Sequence, residues 1–316
     1  MQEYNVALIG NPNVGKKTIF NALTGTNQYE RHWPGTQLAM QEGEYLHGEI
    51  IYHLYNLPGA TTFLSDSPEA ELANDFLCFR DIDATIIICD VTNLKNSLRL
   101  ILEAMEISPN IILCLNFIEK AEKESLMIHY ERLSRILNIP VIPNIKKSKH
   151  GLIELVDQLD YLVLHKKSGN NLITYPRNIE DAIGCIKTYL ESVLQVTSEH
   201  SLPLRWLGLK LIEHDKSFLS SFEVETSISD NGELLKILTQ LRDTLKNQGL
   251  NNEGFHETIC LLFSEKAELI YKHVTFMDKT KRLRTNKRHT KRITKIYTLS
   301  FTLLVLLLTV LFIFLP

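Results

Sequence analysis

A glycine-framed loop, Gly10-Asn11-Pro12-Asn13-Val14-Gly15-Lys16-Lys17-Thr18, separates an apolar run, Val6–Ile9, from a helical pattern that opens at Thr18. Glycine, four residues and Gly-Lys between a strand and a helix form the phosphate-binding loop pattern. The glycines let the backbone curl so that successive N–H groups point inward at an anion. The helix N-terminus adds partial positive charge, and Lys16 has the reach for β- and γ-phosphates. The position after this lysine is ordinarily Ser or Thr, whose hydroxyl ligates Mg²⁺. Here it is Lys17.

Around this loop, residues 1–165 alternate strand and helix signals. The strand pattern covers 5–9, 41–46, 49–56, 84–89, 110–115 and 140–142, and the helical pattern covers 17–23, 69–79, 94–107, 122–137 and 151–162. Ile86–Cys89 and Ile111–Leu115 are continuous apolar runs, as expected of central strands covered on both faces. The alternation predicts an α/β fold, a mostly parallel sheet flanked by helices, with ligands beyond the C-terminal strand ends. From Ile173 onward no strand signal stands out. Leu204, Leu207 and Leu211, and Leu234, Leu238 and Leu241, recur at helical spacing, so 172–275 reads as an all-helical domain.

The net charge of −3 conceals an asymmetry. Residues 279–295 hold nine Lys/Arg and no acid, leaving −12 for the rest. Next to this run, residues 296–315 contain no charged side chain, a length that matches the hydrocarbon core of a bilayer. Residues 276–295 therefore read as a basic juxtamembrane linker and 296–315 as one transmembrane helix, with the preceding domains on the cytoplasmic side. In this setting the basic run points to anionic lipid head groups, and nucleic acid drops out of the expected partners. The five cysteines form no C-x-x-C pair, and the histidines lack ligand spacing, so neither disulfides nor a metal site are expected.

Three further motifs lie downstream: His32-Trp33-Pro34-Gly35-Thr36 and, each after a strand signal, Asn56-Leu57-Pro58-Gly59 and Asn116-Phe117-Ile118-Glu119. Their order matches that of the nucleotide motifs in a GTP-binding protein. Together with the first loop and Leu202–Asp215, LPLRWLGLKLIEHD, they resemble the FeoB-type ferrous iron transport proteins across almost the whole chain. The segment Met277–Lys287 resembles the family's approach to its first membrane helix. The resemblance implies a cytoplasmic G domain, a helical domain and a single-pass anchor in a bacterial inner membrane. It also implies GTP or GDP as ligand, held by Gly10, Asn13, Gly15, Lys16, Lys17, Thr18, Thr36, Asn56, Gly59, Asn116 and Glu119. Asn13 matches the family residue associated with monovalent-cation activation. One membrane helix builds no conduction path, so transport is expected of a separate FeoB-like permease or another iron-uptake component.

The departures from the family pattern concern the metal and the base. Lys17 replaces the Mg²⁺-ligating hydroxyl, and Asn56 replaces an Asp whose carboxylate helps hold the ion. Thr36 stands one residue before the expected switch threonine, whose place is taken by Gln37. Glu119 replaces an Asp that accepts from guanine, and Ile145-Lys146 replace a Ser-Ala pair. A lysine ammonium about 4 Å from Mg²⁺ would be repelled by about 8 kcal/mol at an effective dielectric near 20. Thr18 substitutes poorly for the lost hydroxyl, because adjacent helix residues project differently. Three readings stay open: a nucleotide-binding module in which Lys17 replaces part of the metal's charge, a pseudo-GTPase serving as an interaction subunit, and a GTPase with shifted metal geometry.

Overall fold

A computed structural model describes residues 2–25, 28–32, 38–143, 149–165, 172–194, 202–213, 216–226 and 232–277. Trp33–Gln37, Ile145-Lys146, the basic run and the apolar stretch 296–315 lie outside them. Among the described residues no helix is long and apolar enough to cross a membrane.

The strands are β1 (Gln2–Ile9), β2 (Gln28–His32), β3 (Ala39–His47), β4 (Ile50–Asn56), β5 (Ala84–Asp90), β6 (Ile111–Asn116), β7 (Leu126–Ile128), β8 (Val141–Pro143) and β9 (Thr275–Met277). The helices through the first half are α1 (Lys16–Thr24), α2 (Pro68–Phe79), α3 (Leu94–Ile107), α4 (Ile118–Lys123), α5 (Tyr130–Leu137) and α6 (Lys149–Leu164). Helices α7 (Arg177–Val193), α8 (Leu204–Glu213), α9 (Lys216–Thr226), α10 (Gly232–Asn247) and α11 (Asn252–Val274) follow.

The chain divides into two compact units. The first joins residues up to Ile118 with His129–Val274, and the second takes Glu119–Ile128 and the chain from Thr275. In the first unit seven strands run in the order β2-β3-β4-β1-β5-β6-β8. β4, β1, β5, β6 and β8 are mutually parallel, while β2 and β3 add an antiparallel edge. This is the expected mixed, mostly parallel sheet. Val6, Leu8, Ile86, Ile88, Ile112 and Cys114 are buried on one face against Phe20 of α1 and Leu155, Leu159 and Leu162 of α6. β5 and β6 are buried along almost their entire length, which is why their sequence runs apolar without alternation.

Local signals set several boundaries. The Ser67 hydroxyl accepts from the Ala70 amide, Pro68 occupies the first helical turn, and Glu69 and Glu71 face the positive end of α2. α5 ends at Asn138 in the left-handed region, a conformation Asn tolerates.

Two expectations need correction. The helix expected over 122–137 is interrupted: Ser125 turns left-handed, Leu126–Ile128 becomes β7, and α5 begins only at Tyr130. The spacing of Leu126, Leu133 and Leu137 mimics a helix. Antiparallel pairing of Leu126–Ile128 with Thr275–Met277 overrides it in the second unit. That partner, β9, is itself a strand beyond Ile173, where no strand signal stands out, and only its first residue falls within the expected helical domain. At three residues it is too short to leave a periodic signature.

Trp206 of α8 is fully buried, meets Phe263 of α11 edge-on at 6.3 Å, and donates from Nε1 to Asn74 Oδ1 of α2 at 2.7 Å. It is a core residue with a polar tether. Replacing Trp206→Phe or Asn74→Ala should each lower stability by about 1–3 kcal/mol, since either leaves a buried polar group unmatched. The double variant should lose less than the sum of the two single losses, as measured by urea unfolding.

Candidate functional site: a lysine-lined cleft at the strand ends

The loop between β1 and α1 lies where the strand order reverses between β4-β1 and β1-β5, the place where parallel sheets open a crevice. Its backbone is tightly constrained. Gly10 has φ +149°, and a Cβ there would stand 2.3 Å from the Ile88 carbonyl oxygen. A Cβ on Gly59, in the loop after β4, would stand 2.8 Å from Pro12 Cα and 3.0 Å from Lys16 Nζ. Only a bare backbone lets the two loops approach this closely. Asn116, at the end of β6, donates from Nδ2 to the Val14 carbonyl at 2.9 Å and fixes the loop from below. Asn13 holds a left-handed conformation, φ 62°, at the exposed tip.

Gly15 caps α1 without a side chain, and the first turn of α1 contains no acid. The amides of this turn and the helix dipole therefore face an open cleft, a setting favourable to an anion. Lys16 Nζ donates to the carbonyls of Gly10 (2.9 Å) and Asn11 (3.3 Å). Burial lowers its pKa from 10.5 to about 8. Lys17 and Thr18 are exposed on the first turn, and Lys17 lines the cleft.

Across the cleft, Asn56 Nδ2 donates to Gln41 Oε1 at 2.9 Å, and the Asn56 Oδ1 atom is buried without a partner among the described residues. The lining consists of Asn13, Val14, Gly15, Lys16, Lys17, Ala39, Gln41, Asn56, Leu57 and Pro58. Two lysines and neutral amides replace any carboxylate. A hard dication such as Mg²⁺ prefers anionic and hydrated oxygen, so this donor set does not fit it.

The structure thus brings together Gly10, Asn13, Gly15, Lys16, Lys17, Thr18, Asn56, Gly59 and Asn116. Thr36 lies outside the described residues. Glu119 sits on α4, in the second unit. Gln41 carries no motif that singles it out in the sequence. Its signal is the antiparallel register of β3 and β4, which places Gln41 opposite Asn56.

The lowered pKa of Lys16 gives stability a defined pH dependence. Between about 8 and 10.5 the unfolded chain binds more protons at this residue than the folded one, so its contribution to stability rises with pH across that window. Urea midpoints of the wild type minus those of Lys16→Met should therefore climb from pH 8 to pH 10. A flat difference would contradict a buried ammonium.

Comparison with known proteins follows the same division of the chain. Residues 4–159 match the family model for ferrous iron transport protein B, and residues 175–275 match that for the FeoB cytosolic helical domain. The Fe(2+) transport protein A/Fe(2+) transporter FeoB fusion protein of Porphyromonas gingivalis is 31% identical over 67% of this chain and 25% of its own length. The Fe(2+) transporter FeoB of Methanocaldococcus jannaschii is 32% identical over 68% of this chain and 31% of its own. The chain thus spans between about a quarter and a third of the length of these relatives. The cytosolic domain of T. maritima FeoB in apo form superposes with a TM-score of 0.68 at 27% identity, covering 87% of this chain and all of that one. The same domain is known in GDP and GMPPNP forms. With both models matching in order and the fold superposing over both regions, the chain belongs to the ferrous iron transport protein B family.

Proposed function

We propose that this chain is a membrane-anchored guanine-nucleotide-binding module of a ferrous iron transport assembly, one that holds GTP or GDP without a tightly bound Mg²⁺ and hydrolyses GTP weakly or not at all. The observation that carries this reading is the cleft itself. The phosphate-binding backbone, Lys16 and the Asn116 clasp are retained, while a second lysine and an amide pair occupy the metal side. Lys17 supplies one positive charge near the phosphates and repels a second, divalent one. Phosphoryl transfer in this class depends on a metal bridging the β- and γ-oxygens, so hydrolysis suffers more than binding. The GDP and GMPPNP forms of the T. maritima relative support the choice of nucleotide.

The assignment to iron transport rests on family membership, and the membrane anchor rests on residues 296–315 with the basic run before them. Residues 1–165 act as the G domain and 172–275 as the helical domain that reports its state. The module is proposed to act on the iron-conducting part of the assembly, an FeoB-like permease or another iron-uptake component.

A second reading, a pseudo-GTPase acting as an interaction subunit, is favoured by the permanent polar stitching between the sheet region and the later helices. Arg205 of α8 bridges Glu106 of α3 at 3.0 Å and Glu180 of α7 at 2.7 Å. Such contacts hold the two regions together independently of any ligand.

Titration with a fluorescent GDP analogue separates the readings. The module should bind it saturably, with affinity changing less than about twofold between EDTA and millimolar Mg²⁺. Absence of saturable binding in both conditions would leave the pseudo-GTPase reading. In the Lys17→Thr/Asn56→Asp variant, Mg²⁺ should strengthen binding about tenfold or more, since both metal positions regain oxygen donors. If the double variant remains indifferent to Mg²⁺, the proposed cause of metal independence is wrong.

A further inference from the structure

Remote from the lysine-lined cleft, α11 carries a second group of reactive side chains. Cys260 Sγ lies 3.3 Å from His256 Nε2, one helical turn away, and His256 Nδ1 lies 2.5 Å from Glu213 Oε1 on α8. The other Glu213 oxygen accepts from Lys210 Nζ at 2.9 Å, which fixes the carboxylate. On the opposite side, Arg99 Nη2 of α3 donates to Cys260 Sγ at 3.2 Å. A nucleophile within reach of a base, and the base held by a third group, is the arrangement that activates thiols in covalent chemistry.

We propose that Cys260 is a reactive thiol, with His256 as its base, Glu213 orienting that base and Arg99 stabilising the thiolate, and that it is a site of modification by low-molecular-weight disulfides.

The tautomer follows from the partners. Glu213 accepts the Nδ1 proton, which leaves Nε2 free to accept the S–H proton from Cys260. Burial raises the thiol above its ordinary value, so it rests protonated and needs a base. The hydrogen bond to Glu213 raises His256, which strengthens that base. In the reaction the Cys260 proton passes to His256 Nε2, and the thiolate attacks one sulfur of the disulfide. A new S–S bond forms at Cys260 as the old one breaks. The leaving thiolate takes the proton from the imidazolium, giving a protein mixed disulfide and one free small thiol. Cys260 is half-buried, and His256 beside it is exposed.

The other cysteines provide internal references. Cys78, Cys89 and Cys114 are buried, and Cys185 is exposed on α7. Burial, the largest cause, pushes Cys89 up to about 12, while for Cys114 burial with Glu154 nearby raises the thiol further, so neither competes at neutral pH.

The site also has an outlet. The guanidinium that meets Cys260 also donates from Nε to Glu103 Oε1 at 2.9 Å. The Glu103 carboxylate accepts from Thr62 Oγ1 (2.7 Å) and from the Phe63 amide (2.6 Å), a few residues after Gly59. An adduct on the sulfur takes the place of one Arg99 partner, two contacts from the loop that lines the cleft.

The test measures the rate at which oxidised glutathione modifies each cysteine of the folded chain, resolved by peptide mass. Wild type, His256→Gln and Glu213→Gln are compared between pH 6 and 9. The charged groups facing the pair are Arg99 and Glu103 of α3, Lys210 and Glu213 of α8, and Asp66 before α2. Cys260 should react at least about tenfold faster in the wild type than in His256→Gln, since a positioned base typically contributes about a hundredfold or more. The variant's rate should keep rising to higher pH than the wild type's, while Cys185 should react alike in all three proteins. A fall smaller than about threefold in His256→Gln, with unchanged Cys185 reactivity, would overturn the proposal. Should that variant fail to fold, Glu213→Gln decides the matter by the same threefold criterion, because it keeps the imidazole and removes only its orienting charge.

Discussion

The fully buried carboxylate of Glu103 is the contact on which the arrangement around the cleft depends. A carboxylate without solvent is costly unless its oxygens are satisfied, and here Thr62, Phe63 and Arg99 satisfy them. Burial still raises its pKa, so these partners offset the desolvation only in part. In return the chain after Gly59 is pinned to α3, which lets Gly59 press against Pro12. One turn further along α3, Glu106 performs the corresponding task toward α7 and α8 through Arg205. Burial lifts it to about 7. Arg205 also lies 4.5 Å from the centre of the Tyr175 ring and donates to the Ile173 carbonyl. α3 is therefore a helix with an apolar face for the sheet and two buried acids that each secure a different neighbour.

These polar tethers explain a division in what the sequence disclosed. The sheet was legible because burial of β5 and β6 on both faces leaves an unmistakable apolar run. The phosphate-loop pattern was legible because its glycines are required by close approach, Gly10 at Ile88 and Gly15 at Asn116, and close approach allows no alternative residue. Helices α8 and α10 were legible from leucine spacing. Glu103, Glu106, Asn74 and Gln41 were not, since an isolated acid or amide in a helix or strand reads as solvated. Only the tertiary partner makes it structural. The same holds for the Cys260, His256 and Glu213 group: an i,i+4 Cys–His pair has no special sequence signature until α8 brings a carboxylate to it.

The cleft shows how a phosphate-loop framework accepts substitution along its rim without disturbing the fold. Asn56 occupies its place at the end of β4 and finds Gln41 through the sheet register, so the strand geometry survives the loss of a carboxylate. Lys17 remains on the exposed first turn of α1, where a longer, charged side chain meets no steric objection. Both changes are slight for folding, and both remove negative or neutral oxygen from the lining in favour of an amide and an ammonium.

The pairing of β7 with β9 joins stretches about 150 residues apart in sequence, so closing it requires ordering an unusually long excursion of chain. The pairing is antiparallel, and the chain that leaves Met277 toward the basic run starts from its end. A load applied along that departing chain would unzip or shear three residue pairs whose other strand begins seven residues after Glu119. The clasp thus ties the start of the departing chain to the short segment that opens with Glu119.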